Sequence, residues 1–429
     1  MTKVAYPYQE EAIQRIVQGS AMLLADECGL GKTITAIEVA KRVRGYSWVG
    51  WLGMVVVPLS LRGQWEDMLN EQDPSVPVMF SDYIPWDYLQ LNGWVIVTYP
   101  ELQGNAFTSL VKVVWDIIIV DEAHRIKNRK TASAVNIKKI PAARKLALTG
   151  TPWEKSAGDV WSILNFLLPG EFQSYWTFAK EWLELLPNYF EHFQYGGPLN
   201  PEEFSDMLSR YMIRRTKQDV RKDMPEKVLV ETRVDMLLAQ QNRYDSFKAA
   251  QDVLVEVDDQ EFLIKNILAQ ITLLQQLSTD PEMVGLKGTS GKLLWLKEFL
   301  EDHPTENVVI FSRFRAVVEK LAKQYKGDLI VGGERGTDFI EGRNRLLFGT
   351  IEAMGEGLNL QRGKYAIFLD SHWSTIRMTQ AIDRIHRINI DEDKVIYLLH
   401  SCAEDELVLD ALDHKWTEAE LVYHFLHPD

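Results

Sequence analysis

The chain has 429 residues, of which 46% are apolar and 25% charged, with a formal net charge of −14. That is an ordinary globular mix, long enough for two to three domains and for sizeable cores. Two cysteines, Cys28 and Cys402, exclude a disulfide framework or a thiolate metal cluster and point to a reducing compartment. The N-terminus carries no charged-then-apolar signal segment, and no apolar run is long enough to cross a bilayer. The acidic total weighs against a nucleic-acid partner, but phosphate binding depends on clustered Lys and Arg, and clusters are present locally.

In chain order, Tyr6-Pro7-Tyr8-Gln9 precedes an amphipathic helix carrying Ile13, Ile16 and Val17. A glutamine placed just before a phosphate loop has an amide suited to an adenine edge; alone it is a weak signal, and an ordinary helix start is the simpler reading. Next, the apolar Leu23-Leu24-Ala25 runs into Asp26-Glu27-Cys28-Gly29-Leu30-Gly31-Lys32-Thr33, followed by Ile34, Ile37, Val39 and Ala40 at helical spacing. Strand, glycine-containing turn, Gly-Lys-Thr and helix make the context of a phosphate-binding loop. Gly29 and Gly31 let backbone N–H groups turn toward phosphate oxygens, and the helix N-terminus adds the positive end of its dipole. Lys32 then reaches the β- and γ-phosphates, and the Thr33 hydroxyl sits on Mg²⁺. Asp26 stands where the strict pattern has glycine, and a chance Gly-Lys-Thr at a helix start is the plain alternative.

Met54-Val55-Val56-Val57-Pro58 is a buried strand, followed by Ser60 and a helix containing Trp65. Trp94 to Tyr99 is another strand with a polar end at Thr98. Val113 to Val120 is a third, and it delivers the adjacent carboxylates Asp121 and Glu122 to its C-terminal end, with His124 just beyond. Beside a phosphate loop, such an Asp holds Mg²⁺ and such a Glu orients and deprotonates the attacking water; the alternative is a helix N-cap. Arg125, Lys127, Arg129, Lys130, Lys138, Lys139, Arg144 and Lys145 follow with no acidic residue among them, which reads as one basic face for a phosphate backbone or as a solvated surface. Leu146 to Leu148 is a strand ending in the hydroxyls of Thr149 and Thr151.

From 158 to 210 aromatics and leucines recur at helical spacing (Trp161, Leu164, Phe166, Leu167; Phe178, Trp182, Leu185), broken by Gly196-Gly197-Pro198. This is expected to be a helical insert with a structural core. Met212-Ile-Arg-Arg-Thr-Lys-Gln-Asp-Val220 follows, then a helical region with Ile264, Ile267, Leu268, Ile271, Leu274 and Leu277 on one face. The acidic run Asp258, Asp259, Glu261 is a solvated helix end, and Gly285, Gly288 and Gly291 mark a join. Beyond it, strands at Val308–Phe311, Leu329–Val331, Leu346–Phe348, Ala366–Leu369 and Val395–Leu399 alternate with helices, a second parallel α/β lobe. Gln380, Arg384 and Arg387 fall at i, i+4 and i+7, one face of a helix, where two arginines can stabilise a transferring phosphoryl group or form a surface network with Asp383.

Taken together, these stretches resemble the Swi/Snf (sucrose-non-fermenting) family of helicase-like ATPases in helicase superfamily two. The matching residues are Tyr8-Gln9, Ala25 to Thr33, Val57 to Ser60, Asp121-Glu-Ala-His124, Leu148 to Pro152, Ile310 to Ser312, Gly355 to Leu360 and Gln380 to Arg387. Asp26 is the family's own residue at that place. Met212 to Val220 resembles the segment that ends the family's first lobe, and Ser290-Gly-Lys292 its entry to the second. Departures are Cys28 for Met, Arg313 for Gln, Met354 for Gly and Asn389-Ile390 for Gly-Gln.

The resemblance implies an α/β fold of two RecA-like parallel-sheet lobes with helical insertions. The boundaries expected are 1–157 for the first lobe, 158–232 for the insert and lobe end, 233–284 for a helical region and 285–429 for the second lobe. It also implies ATP and Mg²⁺ as cofactors. Gln9, Gly29, Leu30, Gly31, Lys32, Thr33 and Gln380 would bind nucleotide, and Thr33 and Asp121 would hold metal. Lys32, Asp121, Glu122, Arg384 and Arg387 would be catalytic, with the two arginines as fingers. Ser60, Thr98, Ser312, Gly355 and Asn359 would contact nucleic acid. The expected function is ATP-driven translocation on double-stranded DNA by a monomeric, free-standing motor of viral or bacterial origin. Its expected place is the cytoplasm, or the nucleus in a eukaryote. A strand-unwinding DNA or RNA helicase and a non-hydrolysing ATP-dependent scaffold are the alternatives.

Overall fold

The structure is a computed structural model that describes all residues except 1–3, 46–49, 84–91, 154–155, 188–192, 223–224, 252–259, 333–335, 356–357, 389, 415–420, 422–423 and 426–429. The expected acidic helix end at Asp258 and Asp259 and part of the Gly355 to Leu360 motif lie outside the described residues. The chain divides into two compact units, Met1–Asp223 and Met224–Asp429.

In unit 1 the strands are β1 (Ala21–Leu24), β2 (Leu52–Val57), β3 (Val78–Phe80), β4 (Gly93–Thr98), β5 (Trp115–Val120), β6 (Ala142–Leu148), β7 (Leu183–Pro187), β8 (Phe193–Pro198) and β9 (Met212–Ile213). Seven form one sheet in the order β3-β4-β2-β5-β6-β1-β9, and every pairing in it is parallel. An all-parallel sheet is covered on both faces, which is why its strands read as nearly unbroken apolar runs. Side chains still alternate: Ile118 and Val120 of β5 enter the core on one face, Ile117 and Ile119 the core on the other. Helices α1 (Pro7–Gln18), α2 (Lys32–Arg44) and α3 (Arg62–Gln72) cover the second face through Ile13, Ile37 and Trp65. The first face is covered by the insert, whose Trp161, Phe166, Phe178 and Phe204 are buried in it.

Unit 1 departs from the sequence reading in two places. Leu185 lies on β7, paired antiparallel with β8, and Gly196-Gly197-Pro198 continues β8 instead of ending a helix. The basic run does not make one face. The Arg144 guanidinium donates to the carbonyls of Val17 and Gly19, Lys145 to Phe166 O at 3.0 Å and Lys138 to the Ser162 hydroxyl at 2.9 Å. Burial pushes the Lys138 ammonium down to about 8 and lowers that of Lys145 as well. Arg125, Lys130 and Lys139 keep exposed positions.

Unit 2 holds β10 (Lys227–Arg233), β11 (Val308–Ser312), β12 (Asp328–Ile330), β13 (Leu346–Thr350), β14 (Tyr365–Phe368) and β15 (Lys394–His400). They form a parallel sheet in the order β10-β15-β14-β11-β13-β12. The edge strand β10 was not expected. It pairs with β15 across seven residues, so residues 227–233 belong to the sheet of unit 2. Packed beside the sheet is a buried ion pair, Lys292 Nζ to Asp405 Oδ2 at 2.7 Å, and the same carboxylate oxygen accepts the Ser278 hydroxyl at 3.2 Å.

Candidate nucleotide site

In an open parallel α/β sheet, ligands bind beyond the carboxyl ends of the strands. Unit 1 places its chemistry there. β1 leads into the phosphate loop, β5 into Asp121-Glu122 and β6 into Thr149-Gly150. Strand β6 lies between β1 and β5. Two strand spacings therefore separate the lysine loop from the carboxylates, about 10 Å, which leaves room for phosphates between them.

The loop is shaped by two left-handed glycines, Gly29 at φ +93° and Gly31 at φ +75°, and α2 starts at Lys32 with Gly31 as its N-cap. The first N–H groups of a helix have no intrahelical acceptor and suit an anion. Lys32 Nζ donates to Asp26 O at 2.8 Å. A Cβ at Gly150 would lie 2.5 Å from Cys28 Sγ and 3.6 Å from Lys32 Nζ, so the turn after β6 packs directly on the loop. Gln9 is buried; its amide nitrogen donates to Leu30 O at 3.1 Å and Gly31 O at 3.3 Å, and its oxygen accepts Tyr6 N at 2.9 Å. The glutamine expected at adenine here holds the loop backbone.

Asp121 and Glu122 are both 8% exposed. Asp121 Oδ2 accepts the Trp65 indole N–H at 2.7 Å and Oδ1 accepts Glu122 N at 2.9 Å. Burial first, and the Glu122 charge second, push the Asp121 carboxyl up to about 6, against the pull of Trp65 and Lys32. Glu122 takes a left-handed backbone, φ +49° and ψ +50°, uncommon for a residue with a side chain. The Tyr99 hydroxyl fixes this turn through the carbonyls of Asp121, at 2.6 Å, and Glu122, at 3.2 Å. His124 Nδ1 lies 3.4 Å from Glu122 Oε2 and 3.4 Å from the Thr149 hydroxyl, joining the carboxylates to the turn after β6. The Asp121 and Glu122 carboxylates and the Thr33 hydroxyl, in the first turn of α2, are hard oxygen donors of the kind Mg²⁺ prefers.

The departure at Asp26 is answered from the far end of the unit. Its carboxylate, 1% exposed, takes a two-pronged bond from Arg215: Nε to Oδ1 at 3.0 Å and Nη2 to Oδ2 at 2.5 Å. Arg215, Trp65 and Tyr99 were not assigned to the site from sequence. Nothing local to them signals it, since each reaches its partner across a strand crossover.

In unit 2, helix Thr375–Ile385 ends before Arg387, whose neighbour His386 is extended at ψ +91°. Arg387 is thus off the helix that was to carry it at i+7. Both arginines nevertheless bond backbone on either side of residues 356–357: Arg384 Nε donates to Gly355 O at 2.9 Å and Arg387 Nη2 to Leu358 O at 2.5 Å. Gln380 and Asp383 are both buried on the same helix, Asp383 at 2% exposed. Of the expected nucleic-acid contacts, Ser60 is exposed on the turn Leu59–Leu61 and Asn359 is exposed after Leu358. Thr98 and Ser312 are buried, their hydroxyls committed to Glu101 and Asp370, and Gly355 is buried too.

The fold and site define a P-loop protein of the helicase-like ATPase class, two RecA-like lobes with the phosphate loop in the first. A model of the SNF2-related domain matches residues 8–283, and a model of the helicase conserved C-terminal domain matches residues 291–389. The chain belongs to the SNF2-related family and contains its ATPase core. It is 28% identical over 93% of its length to an ISWI chromatin-remodeling complex ATPase of Arabidopsis thaliana, and 26% identical over 93% to one of Saccharomyces cerevisiae. These alignments span 40% and 39% of the two relatives, so the chain covers about two fifths of their length. Among solved structures it is similar to a Sulfolobus solfataricus SWI2/SNF2 ATPase core in complex with dsDNA. That likeness is at 24% identity and a TM-score of 0.49, covering 100% of this chain and 94% of that one.

Proposed function

We propose that the chain hydrolyses ATP in response to double-stranded DNA and uses the energy to translocate along it. The observation that carries the ATPase reading is the meeting of the Lys32 loop, the Asp121–Glu122 turn and Gly150 at the carboxyl ends of neighbouring strands. Lys32 binds the β- and γ-phosphates, with the backbone N–H groups of Gly29, Leu30 and Gly31 along the phosphate chain. Thr33 and Asp121 would hold Mg²⁺, which, when bound, offsets phosphate charge. Glu122 orients the attacking water and takes its proton, and its left-handed backbone fixes where the carboxylate points. Arg384 and Arg387 are the residues assigned to charge developing on the transferring phosphoryl group.

Duplex DNA as the track is supported by the relatives, which are named chromatin-remodeling ATPases, and by the Met212 to Val220 segment typical of this family. Grip on phosphates makes the stimulation only weakly dependent on base sequence and sensitive to salt. The test is phosphate release with duplex, single-stranded, forked and RNA ligands, with Glu122→Gln as control. Duplex DNA should stimulate most. The variant should bind ATP and lose at least about a hundredfold in turnover. Stronger stimulation by single strands with strand displacement would favour an unwinding helicase, and background release with saturating DNA would favour the scaffold.

A further inference from the structure

The segment Met212 to Val220 ends unit 1, and its contacts run to the phosphate loop. Strand β9 pairs with β1 through Met212 and Ile213, alongside the strand that enters the loop. The next residues continue the pairing: Ala25 N donates to Ile213 O at 2.7 Å and Glu27 N to Arg215 O at 2.9 Å. Side chains then lock the two stretches together. Arg215 grips both oxygens of Asp26, and its remaining nitrogen, Nη1, donates to the Tyr8 carbonyl. Its guanidinium lies 5.1 Å from the centre of the Tyr8 ring. The Tyr8 hydroxyl in turn donates to Leu30 O at 2.9 Å, inside the loop. Lys217 is 97% buried; its backbone N–H donates to Glu27 Oε2 at 2.8 Å, and its ammonium lies 3.6 Å from Glu27 Oε1.

Asp26 faces two ways in this arrangement. Its carbonyl oxygen accepts the Lys32 ammonium, the group that must meet the phosphates, while its carboxylate is held by Arg215. A buried carboxylate is tolerable only with such a partner. The planar fork of an arginine also fixes orientation as well as charge, which a lysine cannot do. Two residues after Arg215 the short helix Lys217–Val220 begins, and unit 1 ends at Asp223.

We propose that Arg215 is a positioning residue for nucleotide, and that the clasp it makes with Asp26 ties the phosphate loop to the segment leading out of unit 1. Nucleotide bound at Lys32 is then felt by residues 212–222 through the clasp. The inference rests on the nucleotide reading of the Lys32 loop and adds to it a route from that loop to the last segment of unit 1.

The experiment uses the full chain and a fluorescent ATP analogue. Affinity is measured for wild type, Lys32→Ala, Asp26→Asn, Arg215→Gln, Arg215→Lys and the Asp26→Asn/Arg215→Gln pair. Near-ultraviolet circular dichroism confirms that each is folded. Hydrogen exchange of residues 212–222 is followed with and without the analogue. Each single clasp variant should weaken binding about tenfold or more, the loss of one charged hydrogen bond. The double variant should be no weaker than the worse single, since one interaction is removed once. In wild type, nucleotide should slow exchange in 212–222, and in Arg215→Lys it should not. If Arg215→Gln does not fold, Arg215→Lys and Asp26→Asn decide the affinity question. Affinity within twofold of wild type in folded clasp variants, additive losses in the double variant, or exchange in 212–222 indifferent to nucleotide would each overturn the proposal. Failure of the underlying reading looks different: wild type and Lys32→Ala would bind the analogue equally, or neither would bind.

Discussion

The Trp65→Phe variant tests how the acidic turn is held. The indole N–H is the side-chain donor at 2.7 Å from Asp121 Oδ2, between a tryptophan 1% exposed and a carboxylate 8% exposed. Losing a hydrogen bond to a charged acceptor costs about 1.5–3 kcal/mol. The smaller ring gives up apolar burial worth about 1 kcal/mol more. A stability loss of about 2.5–4 kcal/mol is therefore expected in urea unfolding. The bond favours the ionised form of Asp121, so its removal raises a carboxyl already pushed up by burial and by Glu122. At 1.36 kcal/mol per unit, a bond of that size moves it up by about one to two units. The assay is kcat/KM for ATP against pH, whose acid limb reports the free enzyme. The limb should move toward higher pH by at least about one unit. Tyr99→Phe is the control: it loses bonds to the carbonyls of Asp121 and Glu122 without touching a carboxylate, so it should cost stability and leave the limb in place. A Trp65→Phe protein with unchanged stability and an unmoved limb would refute the reasoning.

Gly150→Ala puts a Cβ 2.5 Å from Cys28 Sγ and should cost about 1–3 kcal/mol in unfolding and weaken ATP binding, with Cys28→Ala in the same chain restoring much of both. In unit 2, Asp405→Ala leaves the fully buried Lys292 ammonium without its carboxylate and should cost about 3–5 kcal/mol, while Lys292→Met with Asp405→Leu should cost far less; chemical denaturation separates the two. Burial pushes the Lys138 ammonium down to about 8 from its usual 10.5. Between those values the unfolded chain binds more protons, so stability should rise with pH across that window. The difference in unfolding free energy between wild type and Lys138→Met should grow from pH 7.5 to pH 10. A flat difference would show that Lys138 is not held in a dehydrating site.

The chemical centres were legible because each is contiguous in sequence. A strand, a turn with Gly29 and Gly31 and a helix beginning at Lys32 form a phosphate loop from local geometry alone, and β5 delivers Asp121 and Glu122 as its run of isoleucines ends. The alternation of apolar strands with helices likewise determined two parallel sheets. Only the tertiary structure decided what lies between distant parts of the chain. β9 and β10 are too short or too polar to announce themselves, and they are strands because β1 and β15 offer free edges to pair with. The basic run was split because β6 carries Arg144 and Lys145 to different internal carbonyls, which composition cannot foresee. Arg387 left its helix because the turn at His386 ended it early. Asp26 shows the division most clearly: its place in the loop is written locally, but its partner Arg215 is 189 residues away. Parallel pairing joins strands through backbone hydrogen bonds that carry no residue signature, so such partnerships exist only once the sheet is built.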